Sequence, residues 1–117
     1  MNVKHKSKRS PSNVQQIVQA HRLKLGARRR PLSFAKFAAG LTDVVESYGL
    51  SVSYQSIKNW EDGVFRPDHA FIMQLSIHAK KDSWQRSFAF DLLAAQWPEL
   101  YKPGSEIGER LIQQAVK

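Results

Sequence analysis

Apolar residues return along this chain at the three-and-four spacing of helices rather than the alternation of strands. The first stretch is Val14, Ile17, Val18, His21 and Leu25. Ser12, with Gln15 three residues on, predicts a capping box at its start, and Gly26 predicts its stop. The second is the stripe Phe34, Phe37, Ala38, Leu41, Val44, Val45 and Tyr48, opened by Ser33 and closed by Gly49. A short helix follows Ser53 and ends at Gly63. A fourth opens at Asp68, with Ala70, Phe71, Met73, Leu75, Ile77 and Ala79 expected in the core. A fifth runs from Asp82, with Gln85 as its capping partner, to Pro98. After the Pro103–Gly104 linker, Ser105 heads a last short helix carrying Ile107, Leu111, Ile112, Ala115 and Val116. The pattern predicts an all-α bundle of five to six helices.

The short third helix is the most informative. Ile57 and Trp60 are three apart and share one face, with Val52 placed to staple the entry against Ile57. Tyr54, Gln55, Lys58 and Asn59 fall on the other side. A narrow apolar seam backed by an amide-rich, basic flank is what a helix lying in a DNA major groove requires, because base edges there offer hydrogen-bond donors and acceptors.

Val52, Ser53, Ile57, Trp60, Glu61, Gly63 and Pro67 stand at the spacing of a known motif. On these residues the chain resembles the lambda-repressor-like, Cro/XRE-type helix-turn-helix family. The resemblance runs from about Val14 to Ile77 and is strongest in the third helix. It implies a helix-turn-helix bundle in which the third helix reads DNA. It also implies a structural ion pair between Arg22 and Glu61, and a phosphate contact from Arg66 in the following loop. The chain departs from the family between Ala38 and Ile57, where it is longer than the usual tight turn. The unbroken stripe to Tyr48 predicts that an extended second helix takes up this length.

Charge strengthens the picture. Of the net +8, residues 1–42 hold ten Lys or Arg and no acid, whereas residues 43–117 hold eight basic and ten acidic side chains. A one-sided basic half points to a polyanion. Arg28, Arg29 and Arg30 form a basic loop placed for phosphates, and residues 1–11 read as a basic disordered arm. Ser33 and Ser53, at the positive ends of the second and third helices, are further phosphate candidates, and Ser56 can serve phosphate or base. Tyr54, Gln55, Lys58 and Asn59 are the candidate base readers.

Other chemistry finds no support. The absence of cysteine excludes disulfides and thiolate metal sites and fits a reducing interior. The four histidines have no metal-ligand spacing, and His21 falls on an apolar face as a core-edge residue. No cofactor-binding or nucleophile motif is present, so an enzyme is not expected. No apolar run is long enough to span a membrane, and the basic N-terminus lacks the apolar segment of a secretory signal.

The chain thus reads as three parts. These are the arm at 1–11, a DNA-binding domain at 12–79, and C-terminal helices at 80–117 that pack on the domain. Two apolar stripes on the fifth helix, Trp84–Phe88–Leu92–Ala95 and Phe90–Leu93–Ala94–Trp97, are more than one side of a small core needs, so either the helix is central or one face meets another chain, the second being the expectation. The expected activity is sequence-specific binding of double-stranded DNA by a homodimer, as a cytoplasmic, nucleoid-associated regulator, and by family analogy a repressor of phage or mobile-element type. Two alternatives stand beside it. One is an antitoxin or bridging module that binds a protein through its C-terminal helices. The other is an architectural or recombination accessory protein that bends DNA.

Overall fold

The computed structural model describes residues 13–98. The basic arm, Ser12 and the final helix expected after Ser105 lie outside them. The described residues form α1 (Val14–Leu25), α2 (Phe34–Val45), α3 (Tyr54–Asp62), α4 (His69–His78) and α5 (Trp84–Gln96), with a single 3-10 turn at Glu46–Tyr48 after α2. Among them no helix is long and apolar enough to cross a membrane.

Capping follows local chemistry, with two corrections. Asn13, not Ser12, heads α1: its side chain accepts from the Gln16 amide at 2.8 Å. Ser83, not Asp82, heads α5 and accepts from the Arg86 amide. Asp82 has φ +67°, inside a turn that Ser83 closes onto Lys80, whereas an N-cap needs extended backbone. Gln85, released from the expected capping box, donates instead to the Gly40 carbonyl at 3.2 Å and so ties α5 to α2. Ser33, Ser53 and Asp68 cap α2, α3 and α4 with their side-chain oxygens.

One core joins all five helices. Ile17, Val18, Phe37, Leu41, Val45, Ile57, Ile72, Leu75, Phe88, Leu92 and Leu93 are fully buried in it. Helix α4 buries Phe71, Ile72, Leu75 and Ser76, while Ile77 and Ala70 point outward. Positions one, two, five and six of that run are the ones that share a face at about 3.6 residues per turn.

Of the two readings of α5, the structure shows the central one. Phe88 and Leu92 of the first stripe and Leu93 of the second are buried in the same core, and Phe90, Ala95 and Trp97 pack against its edge. Helix α5 is central because it lies against α1, α2 and α4 together. Its Trp84 ring sits over α2 at Gly40, where an added Cβ would come within 2.5 Å of the indole.

The second helix also differs from expectation. Its α-helical part stops at Val45, and Glu46–Tyr48 wind as a 3-10 turn ended by Gly49 at φ +81°. Tightening to about 3.0 residues per turn shifts the phase of the stripe. Tyr48 therefore leaves the core, is 52% exposed and stacks on His78 at 3.8 Å between ring centroids. The loop that follows is held by Thr42. Its hydroxyl accepts from the Val52 amide at 3.0 Å and donates to the Val52 carbonyl at 3.2 Å, fixing the entry to α3 against the last turn of α2.

Candidate nucleic-acid interface

Helix α3 is short, and its orientation rests on what its inner face grips. Ile57 and Trp60 are buried, and Trp60 packs on Phe71 of α4. Glu61, on the next turn, receives Arg22 Nη1 at 2.7 Å, with the two side chains only 10% and 14% exposed. Arg22 also donates through Nε to the Leu32 carbonyl at 2.8 Å and lies 3.9 Å above the Phe34 ring. One guanidinium thus ties α1, the approach to α2 and the last turn of α3. Gln15 of α1 adds a bond to the Glu61 carbonyl at 3.4 Å. Gly63 ends the helix at φ +79°, a conformation that costs any residue with a Cβ.

With that face anchored, the opposite flank is turned outward. Tyr54 is 57% exposed, Gln55 and Lys58 are exposed, and Ser56 and Asn59 are half-buried at the margin. Gln55 Nε2 donates to Asn59 Oδ1 at 3.2 Å, so the two amides form one unit across a helical turn. Lys58 Nζ meets Asp62 Oδ2 at 2.8 Å. The hydrogen bond and charge of Asp62 raise the lysine's pKa above its ordinary value. The basic character expected of this flank is therefore offset within α3 itself, where Asp62 pairs with Lys58. Sequence reasoning missed this pair, although the four-residue spacing of Lys58 and Asp62 is the signal of a helical ion pair.

The phosphate candidates sit elsewhere. Ser33 and Ser53 already use their side-chain oxygens as caps, and Ser53 shares a 3.3 Å hydroxyl contact with Ser56. Arg28, Arg29 and Arg30 are all exposed in a tight turn closed by the Arg30 amide on the Ala27 carbonyl at 2.9 Å. Arg28 and Arg29 have φ of 52° and 66°, both left-handed. Arg66 is exposed beyond α3, beside a groove of about 170 Å³ bounded by Asn13, Gln15, Trp60, Phe65 and Gln96. The structure brings the α3 residues together, and ties Arg22, Glu61 and the segment before Ser33 into one cluster. Among the described residues no salt bridge joins Arg28, Arg29 or Arg30 to α3.

Sequence reasoning missed Thr42 and the His21–Asp91 bond, 2.8 Å between α1 and α5. Neither pair has a spacing signal, because both span different elements. No cluster of metal-binding side chains occurs among the described residues. No family model, no curated protein and no solved structure matches the chain.

Proposed function

We propose that this protein is a sequence-reading, double-stranded DNA-binding regulator of the Cro/XRE helix-turn-helix kind. It acts as a homodimer and most simply as a repressor, cytoplasmic and nucleoid-associated. The observation that carries the reading is the division of α3. Trp60, Ile57 and Glu61 are gripped by the body of the protein, while Tyr54, Gln55 and Lys58 stand outward with Asn59 beside them. Amides and a phenol on a rigid, exposed helix supply the hydrogen-bonding groups that discriminate base pairs. General attraction to the duplex is assigned to Arg28–Arg30, Arg66 and the basic arm, because the single basic side chain of α3, Lys58, is outnumbered there by Glu61 and Asp62.

Selection from random DNA duplexes, followed by footprinting, tests the reading. A two-fold symmetric consensus with half-sites about one helical turn apart is expected. A chain that enriches no sequence and retards no duplex at low salt sinks it. Replacing Arg28, Arg29 and Arg30 together by alanine is expected to weaken binding to all DNA and to flatten the log–log salt dependence by up to about 0.9 per lost phosphate contact. An unchanged slope removes these arginines from the interface.

A protein-interaction module is the second reading, favoured by the adjacent Val64 and Phe65, which are 64% and 58% exposed. Co-purification of a protein partner with no DNA retardation at low salt would select it.

A further inference from the structure

We infer that the chain's own C-terminal stretch, 105–116, seats its apolar stripe in the groove beside Arg66 and so keeps phosphate from that arginine; the second half of this rests on the DNA-binding reading above. The groove lies where the start of α1, the end of α3 and the end of α5 meet. Val14 and Trp60 give it buried apolar surface, Ala95 is half-buried, and Phe65 is exposed with Val64 next to it in the chain. Arg66 is exposed and joins none of the ion pairs among the described residues. Gln96 Nε2 is buried and has no hydrogen-bond partner among them. The groove therefore combines an apolar bed with two donor groups that lack an acceptor.

The chain that follows supplies what the groove lacks. Gln96 is the last residue of α5, so the chain departs from the groove's own edge, and Ile107 stands eleven positions on. A random coil of that length spans about 18 Å root-mean-square. A tether so short gives an effective concentration on the order of millimolar, above that of a second copy in dilute solution. Ile107, Leu111, Ile112, Ala115 and Val116 recur at helical spacing. A helix of about twelve residues is marginal in water by itself, so the stripe needs an apolar bed to form against. Glu109 stands three residues before Ile112, at the edge of the stripe. Its ionised carboxylate only accepts hydrogen bonds, which matches the unmet donors of Arg66 and Gln96. A carboxylate held there takes the place on Arg66 that a phosphate oxygen would fill.

Three measurements on the full chain test this. Leu111→Ser with Ile112→Ser breaks the stripe without changing charge. In NMR spectra this variant is expected to shift the Trp60 indole, the Phe65 and Arg66 amides and the Gln96 side-chain amide, and to leave the amide of Phe88 in the core unmoved. The chain has no cysteine, so introduced thiols report on one pair at a time. Arg66→Cys with Glu109→Cys is expected to be bridged within one chain by a short bis-maleimide roughly tenfold or more faster than Arg29→Cys with Glu109→Cys. Arg29 lies past the far end of α1, whose 12 residues span about 18 Å. The serine variant is also expected to bind random duplex with a log–log salt dependence steeper by about 0.9, one phosphate contact regained. Groove signals that stay in place, equal bridging rates, or bridges formed only between two chains overturn the seating. An unchanged salt slope beside shifted groove signals overturns the masking of Arg66. A duplex that neither protein binds defeats the DNA-binding reading, a separate result, and the first two measurements still decide the seating.

Discussion

At the scale of single residues, charge is handled by pairing across short distances. Lys58 is the lone basic side chain on α3, and Asp62 holds it at 2.8 Å. Replacing Asp62 with asparagine removes that competitor. Affinity for any duplex is expected to rise and the salt dependence to steepen by up to about one unit, as one more ammonium becomes available to phosphate. Titrations across a range of salt concentrations measure it, and an unchanged slope would show that Lys58 does not reach the backbone. The pH dependence of the pair has a definite sign. Because Asp62 raises the Lys58 pKa in the folded protein, the pair's contribution to stability is complete at neutral pH. On the alkaline side it is lost as pH climbs past the ordinary lysine value of 10.5 toward the raised one. The four-residue spacing of Lys58 and Asp62 is a signal for this pair that the sequence reading did not take up, whereas the bond between Gln55 and Asn59 depends on side-chain orientations that spacing permits but does not choose.

At the scale of elements, the connection from α2 to α3 is the part that departs most from a simple reading. The apolar stripe ran on to Tyr48, and that periodicity predicts a continuous helix. The chain instead tightens at Glu46, turns left-handed at Gly49, and returns to be caught by Thr42. The hydroxyl satisfies both polar groups of Val52 in a partly buried position, where unpaired backbone groups are costly. Thr42→Val keeps the shape of the side chain and removes both bonds. It is expected to cost about 1–3 kcal/mol, measured by urea unfolding, and to speed hydrogen exchange at the Val52 amide. Thr42→Ser, which keeps the hydroxyl, should lose much less. Equal behaviour of the two variants would show that the loop is held by packing alone. The reach from Thr42 to Val52 follows from the course of the loop, which no local pattern specifies.

For the whole molecule, the fifth helix determines how much of the chain acts as one unit. Its stripes suggested a surplus of apolar area. Enclosure between α1, α2 and α4 buries Phe88, Leu92 and Leu93 and leaves Trp84, Phe90, Ala95 and Trp97 half-buried against the core. Phe88 meets Phe37 edge-on at 5.0 Å and the His21 ring at 5.3 Å, so it touches the first two helices from the centre of the fold. Phe88→Ala is expected to lower stability by about 3–5 kcal/mol while unfolding remains a single transition by tryptophan fluorescence and circular dichroism. Two separated transitions would mean that α5 and the first four helices unfold independently.

The residues alone determined the all-α class, the core faces of α1 and α2 up to Val45, and the division of α3 into an apolar seam and an amide-bearing flank. These depend on periodicity and capping within a few neighbouring residues, and that information is local. Only the tertiary structure decided that α5 is enclosed, that Tyr48 leaves the stripe to stack on His78, and that Thr42 grips a loop ten residues away. Each of those outcomes depends on which elements become neighbours, and on the need to satisfy buried polar groups once they do.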